Sequence, residues 1–544
     1  MRFSISKCIC LLLVLYAWFV LVWQQADMLF AIQDFSPWMG TYDYWQQHIG
    51  HPGGLREWIG DWLTQFFYYP WLGGTLMVLC WAVSAWALIR AHKLQGWWCL
   101  LPLIPMFCLL AGITEMGYWM FCLKAPSYWF GPTLGWLVVS LSLLGYAHAD
   151  EKGRLCWLGL MILLGYPTLG WYATLAVLTM LLASEWKTGW QTWLRRLAAI
   201  ALPLVIMTAC YHHSSSIRWE EDALTYGFHH LINPEASSLV LEMPFWLMAA
   251  IVLLMPLLAK LQAKQKYLSW LPFVLMAATL TGSNMLNYRN HNFHTELQML
   301  RAMDEGRWDD LLQEMRESSQ QKKPTRQMVI MKDVALAQQG RLGDKAFDYP
   351  IGGVRPAMNT NLPIHMAHSG APLFYYWLGI PNFAFMWCME NNIEYGLSPF
   401  YLRIMYRCMM ANGETEAAAK YKALLQTTLF HGDYEVSERE LTDVRRFMTG
   451  QDELTNDRGY SEIYLLDRLS QMQYNTPMAQ QIAVHWSILA RNQERFDKAL
   501  AHYKELVKAE EQGDNSPGTP TLPKYFNQQT FDWYHASNTG NKSY

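Results

Sequence analysis

Nine apolar runs punctuate the first 285 residues, beginning near Cys8, Leu72, Trp97, Trp129, Leu155, Leu169, Leu197, Met243 and Leu268. Each is long or nearly long enough to cross a hydrocarbon core of about 30 Å, so the pattern predicts about nine transmembrane helices. The gaps between the runs alternate in charge. Every second gap is basic: Arg2 and Lys7, Arg90 and Lys93, Lys152 and Arg154, then Lys187, Arg195 and Arg196, then Lys260, Lys264 and Lys266, twelve groups in all. The intervening gaps hold three basic groups, Arg56, Lys124 and Arg218, and eleven acidic ones from Asp27 to Glu242. Short loops rich in Lys and Arg stay in the cytoplasm. The rule therefore predicts a multi-pass protein of the inner (cytoplasmic) membrane with a cytoplasmic amino terminus. The first run, CICLLLVLYAWFVLVW, has no small-residue cleavage site and reads as a retained signal-anchor.

One stretch decides the orientation of everything after it. Residues 155–184 carry no charge over thirty positions, too long for one upright helix at about 1.5 Å per residue and short for two. Gly165, Pro167 and Gly170 at its centre favour a turn and hence a hairpin. A single tilted span would instead face Lys187, Arg195 and Arg196 outward, against the charge rule.

After Met285 the periodicity changes. Residues 286–544 hold 27 of the 42 Lys and Arg residues and no run long enough to span, which predicts a soluble, extracytoplasmic, here periplasmic, domain following a transmembrane domain of residues 1–285. Its words repeat: LRAMDEGRWDDLL around Gly306, ALAQQGRLGDKAF around Gly340, MMANGETEAAAKY around Gly413 and LARNQERFDKALAHY around Asn492. Each joins two amphipathic helical patterns through a polar turn, with Gly or Asn suited to the left-handed residue that ends a helix. Gly306 and Gly340 are 34 residues apart, the tetratricopeptide period, and the later gaps of 73 and 79 approximate two degenerate units each. The expected fold class is all-α: a polytopic helical membrane domain followed by a tetratricopeptide-like helical-repeat domain. Residues 348–382 interrupt the repeats with enough Gly, Pro and Asn to predict an ordered loop. Its aromatics Phe374, Tyr375, Tyr376 and Trp377 are expected to cap the repeat core, with a membrane or substrate contact as the alternative. His365 and His368 lack a neighbouring carboxylate motif and predict no metal. Cys388 and Cys408 read as buried free thiols, since two cysteines in so large a region form no disulfide framework.

The first outer loop, residues 24–71, is the most distinctive part of the membrane half. Leu55, Trp58, Ile59, Trp62, Leu63, Phe66 and Phe67 share one helical face, and Arg56, Glu57 and Asp61 share the other, the pattern of a helix lying in the membrane interface. Before it, FAIQDFSPWMGTYDYWQQHIGHPGGL supplies Asp34 and Asp43 among aromatics and turn residues. A carboxylate beside a partly dry aromatic surface is suited to act as a base, and Asp34 is equally suited to capping a short helix.

Charge elsewhere adds little chemistry. Lys124 and Arg218 are the remaining outer cations and suit a lipid phosphate, or pair with Glu115 or Glu220. His212, His213, His229 and His230 flank Glu220, Glu221 and Asp222, but adjacent histidines on a helix point apart, so no metal site is predicted. There is no P-loop, dinucleotide-binding glycine word after a strand, HExxH or paired CxxC, so no soluble cofactor is expected. A formal net charge of −3 gives no footprint for nucleic acid.

The words HPGGLREWIGDWLTQFF, YYPWLGG, ENNIEYGLSPFYLR, NGETEAAAKY and TLPKYF resemble an uncharacterised family of polytopic membrane proteins from Bacteroidota over most of the chain. That resemblance implies architecture and source. The layout also resembles the GT-C superfamily of glycosyltransferases, whose long first outer loop carries an acidic residue that activates an acceptor or binds a metal. By that resemblance Asp34 is the matching position, with Asp43 second, and Lys124 and Arg218 would hold the phosphate. No DxD word lies in the loop and no WWDYG-type motif in the outer domain. Two functions stay open. One is transfer of sugar from a polyprenyl-phosphate carrier to an envelope glycan or protein, with the repeats presenting the acceptor. The other is a non-enzymatic envelope scaffold that binds partners through the repeats. A transporter ranks below both, because few charges lie inside the spans.

Overall fold

A computed structural model describes residues 5–121, 127–184, 190–213, 239–264, 268–353, 370–449, 469–470, 473–513 and 522–537. Among these residues the chain is helical, without strands. It divides into two compact units, Met1–Tyr288 and Arg289–Tyr544.

The first unit opens with α1 (Ile5–Phe19), which continues as a π turn to Gln24. Three short helices of the first loop follow, α2 (Ala26–Phe35), α3 (Tyr42–Ile49) and α4 (Gly54–Thr64). Then come α5 (Pro70–Ala91), α6 (Ile104–Thr114, led in by a 3-10 segment from Gly96), α7 (Gly131–His148), α8 (Glu151–Leu160), α9 (Tyr166–Leu169) and α10 (Trp171–Ala183). The unit ends with α11 (Trp190–His213), α12 (Leu239–Lys264) and α13 (Leu271–Leu286). Among the described residues four helices are long and apolar enough to cross a membrane: Ile5–Gln24, Pro70–Ala91, Gly96–Thr114 and Glu242–Gln262. Trp171–Ala183, Ile200–Cys210 and Leu271–Leu286 are shorter apolar helices. Leu11, Leu12, Leu79, Leu178 and Val205 are exposed on these helices, an apolar exterior that lipid covers and water would not. The chain is a membrane protein.

Polar side chains and small residues tie the bundle together. Trp81 Nε1 on α5 donates to Thr133 Oγ1 on α7 at 2.8 Å. Gln25 Nε2 donates to Asn287 Oδ1 at 2.9 Å, joining the start of α2 to the end of α13. The uncharged stretch 155–184 folds as a helical hairpin, with α10 packed back on the segment before it. Its turn is Gly170, at φ 63° and ψ −138°, a conformation that excludes side chains. Pro167 falls in the first turn of α9, where a missing N–H costs nothing.

The second unit pairs antiparallel helices: α14 (His291–Asp304), α15 (Trp308–Gln321), α16 (Arg326–Gln338) and the short α17 (Leu342–Lys345). They are followed by α18 (Ala371–Trp377), α19 (Pro381–Tyr395), α20 (Pro399–Asn412), α21 (Thr415–Leu425) and α22 (Glu438–Arg445). The last are α23 (Pro477–Leu489), α24 (Gln493–Gly513) and α25 (Gln528–Ser537). Gly306, Gly340 and Gly413 turn consecutive helices with positive φ, as their words predict. At the fourth turn the left-handed residue is Arg491, φ 55°, while Asn492 caps α24 by accepting from the Arg495 amide at 3.0 Å.

The predicted loop at 348–382 is corrected where it is described. Residues 371–377 are helix, and Asn382 lies in α19. Pro372 and Pro381 sit in first helical turns, so the proline density marks helix starts. Phe374, Tyr375, Tyr376 and Trp377 are all buried. His365 and His368 lie outside the described residues. Cys388 and Cys408 are buried thiols.

Candidate functional site

Helix α4 is the organising element of the first loop. Its polar face turns inward: Arg56, Glu57, Asp61 and Thr64 are buried, whereas Leu55, Trp58, Ile59, Trp62 and Leu63 are half exposed. An amphipathic helix in water does the reverse. Here the aromatic side takes the outward position that lipid favours, and the charges pack against α3 and α7. Gly60 makes the close approach feasible, since a Cβ there would come within 1.8 Å of Ser127 Oγ and 3.2 Å of the Gly131 amide nitrogen.

The buried charges meet two histidines from α3 and the turn after it. His48 Nε2 is 3.4 Å from Asp61 Oδ2, and His48 Nδ1 is 2.8 Å from the Tyr44 carbonyl oxygen. With a carbonyl on one side and a carboxylate on the other, both ring nitrogens face acceptors, which favours the doubly protonated ring. Burial opposes that charge, but the Asp61 hydrogen bond and charge outweigh it and hold His48 above the ordinary histidine value. Burial also lifts Asp61 above the usual carboxylate range, against the pull of His48, Tyr44 and the Ser127 amide. The Tyr44 hydroxyl is 3.1 Å from Asp61 Oδ2 and 2.9 Å from the Pro37 carbonyl oxygen.

A second pair adjoins the first, with the His48 and His51 rings 6.1 Å apart. His51 Nε2 is 3.5 Å from Glu57 Oε2, and Arg56 Nη2 donates to Glu57 Oε1 at 3.1 Å. The Arg56 guanidinium lies 5.2 Å from the centre of the Tyr172 ring. Its Nε is buried and has no hydrogen-bond acceptor among the described residues. Chemically, the assembly offers a proton shared between an imidazole and a carboxylate, beside a desolvated cation with a donor to spare. Among the described residues no group of three or more His, Cys, Asp or Glu is arranged to hold a metal ion.

The residues singled out from the sequence fall differently. Asp34 is buried near the end of α2 and engaged by its surroundings. Its neighbour Gln33 donates from Nε2 to Gln65 Oε1 at 3.1 Å, linking α2 to the end of α4. Asp43 is exposed on α3. The carboxylates facing histidines are Glu57 and Asp61. Lys124, Arg218, Glu220, Glu221, Asp222, His229 and His230 lie outside the described residues, and His212 is exposed at the end of α11. His48 and His51 escaped the sequence reading, although two signals were present. Glu57 and Asp61, four apart on one buried face, repel unless cations or protons meet them, and the preceding HIGH word supplies two histidines.

Fold and site together define an all-α membrane protein with a polar, histidine–carboxylate cluster behind an inverted amphipathic helix and a second unit of paired helices. The chain belongs to a family of unknown function, DUF6057, which matches residues 1–540. No curated protein matches the chain. No solved structure matches it either.

Proposed function

We propose that the chain transfers a sugar from a polyprenyl-phosphate carrier to a hydroxyl group of an envelope glycan or protein, within a GT-C-like layout. In this reading helix at each of the nine apolar runs crosses the inner membrane, with a cytoplasmic amino terminus and a periplasmic second unit. The paired helices of that unit act as a tetratricopeptide-type solenoid that presents the acceptor.

The observation that carries the reading is the His48–Asp61 pair, at 3.4 Å, in one loop with the under-satisfied Arg56. The acceptor hydroxyl gives its proton to the Asp61 carboxylate, which the protonated His48 ring orients, while the hydroxyl oxygen forms a bond to the anomeric carbon. The bond from that carbon to the phosphate oxygen breaks, and the lipid phosphate leaves with the electron pair. Arg56 offsets the charge that develops on it. The outward apolar face of α4 suits a donor that arrives from the bilayer.

The test is an envelope-glycan profile in cells carrying His48→Gln, Asp61→Asn, Asp34→Asn or Asp43→Asn in place of the natural chain. His48→Gln and Asp61→Asn are expected to abolish transfer at unchanged abundance, a loss of 10²-fold or more for a general base. A loss confined to Asp34→Asn returns the role of base to that carboxylate. A normal profile in all four variants at normal abundance leaves the scaffold reading in its place.

A further inference from the structure

We infer that the second unit binds an uncharged glycan chain in a cleft of about 720 Å³ bordered by the Gly306 turn, the end of α16 and helix α22. The volume falls within the roughly 300–1,000 Å³ typical of sites for small ligands. Its lining narrows the ligand class. Four carboxylates, Asp309, Asp310, Glu438 and Asp443, stand against three guanidinium groups, Arg307, Arg439 and Arg446. These charges already meet one another: Arg307 pairs with Asp310, Arg446 Nη1 lies 3.2 Å from Asp443 Oδ1, and Arg439 Nε is 3.9 Å from Asp443 Oδ2. A polyanion or polycation would find no complementary field there. An acyl chain or amphipathic helix would find too little apolar surface.

What remains suits sugar. Trp308 lines the cleft, half-buried and edge-to-face with Trp377 at 4.8 Å, and offers apolar surface for the C–H face of a pyranose. Around it stand planar groups with paired donors or acceptors, among them Gln339, whose Nε2 donates to Asp309 Oδ1 at 2.9 Å. Carboxylate, amide and guanidinium forks match adjacent hydroxyls on a ring.

The walls are fixed before any ligand arrives. Trp377 Nε1 donates to the Met303 carbonyl oxygen at 3.0 Å, and Gln338 donates to the Trp377 carbonyl. Arg407 Nη2 donates to the Asp304 carbonyl oxygen at 2.6 Å, and its Nε lies 3.0 Å from Glu440 on α22. Such preorganisation lowers the ordering cost of binding. That the bound glycan is the acceptor of the transfer rests on the transferase reading; the binding does not.

The test titrates the purified full chain, in lipid nanodiscs free of sugar-based detergent, with β-1,4-linked N-acetylglucosamine tetramer and α-linked mannose tetramer, read by saturation-transfer NMR and calorimetry. At least one is expected to bind. Trp308→Ala is expected to weaken that binding by 10-fold or more. Thr442→Trp, at an exposed lining position, is expected to block it without touching the core. His48→Gln is expected to bind as the natural chain does, which separates this cleft from the loop site. Absence of binding by both tetramers, or binding unchanged in both Trp308→Ala and Thr442→Trp, overturns the inference.

Discussion

His48 places Nε2 3.4 Å from Asp61 Oδ2 and Nδ1 2.8 Å from the Tyr44 carbonyl oxygen, so one proton more than a neutral imidazole carries is held between α3 and α4. Both partners titrate above their ordinary values, Asp61 by burial and His48 because Asp61 outweighs its burial. A group raised in the folded state contributes stability that is complete below its unfolded value and lost as pH rises through its folded value. For His48 the decline begins near 6.5, the ordinary histidine value. The thermal midpoint of the purified chain is therefore expected to fall as pH rises from 6 into the alkaline range, and His48→Gln is expected to flatten that slope. A midpoint that climbs over the same interval would refute the pairing.

Ser127 carries its burden in the backbone. Its φ of 53° is left-handed, and its amide faces Asp61. Such a conformation costs a residue with a side chain roughly 1–2 kcal/mol. Ser127→Gly is expected to raise stability by about 1 kcal/mol, with the amide kept in place. Gly60→Ala is expected to lower it by about 1–3 kcal/mol, because its Cβ meets Ser127 Oγ and the Gly131 amide. Combined, the two changes should be less damaging than their sum, since glycine at 127 removes the nearer obstacle. Thermal midpoints of the four proteins decide it, and strict additivity counts against the contact.

Much of the architecture was written in hydropathy, and the local chemistry was not. The run at Leu72 becomes α5, and the glycine of each of the first three repeat words becomes a left-handed helix end, because both depend on nearest neighbours. The amphipathic stripe of α4 was equally visible. Which side faces in depends on the solvent outside the fold, and against lipid the apolar face turns outward. Lys332, Asp333 and His485 illustrate the harder case. Charges read from sequence look solvated, yet all three are buried, with Lys332 Nζ 2.7 Å from Asp333 Oδ1 and His485 Nε2 3.3 Å from Asp333 Oδ2. Their separation of 152 positions from Asp333 to His485 left no local trace. Arg491 also takes a glycine's conformation, and its guanidinium lies 5.7 Å from the Tyr534 ring, a contact 43 positions away along the chain.

Cys388 and Cys408 are both buried thiols, and burial with the neighbouring Cys408 pushes the Cys388 thiol far above its ordinary value. Both thiols are out of reach of solvent, so both are expected to resist maleimide in the native chain at neutral pH and to react fully in denaturant. Mass spectrometry of labelled peptides reads the result. Labelling of either in the native state contradicts the packing described.

Asp304 is the hub of a charge network in the second unit. It meets Arg403 Nη2 at 2.6 Å and also pairs with Arg407, both on α20, and Arg407 in turn pairs with Glu440 on α22. Burial alone would raise its carboxyl, but Arg403 and Arg407 outweigh burial and bring it down to about 2. A depressed carboxylate contributes stability present above its unfolded value, near 3.8, and lost as pH falls through its folded one. Acid unfolding of this unit is thus expected to sharpen between about pH 4 and 2. Asp304→Ala leaves two buried guanidinium groups facing each other and is expected to cost about 3–5 kcal/mol. Asp304→Asn keeps the shape but removes the charge, so it separates packing from electrostatics. If Asp304→Asn matches the natural chain in denaturant midpoint, the network acts through shape, and the charge-based account of the fixed cleft wall fails with it.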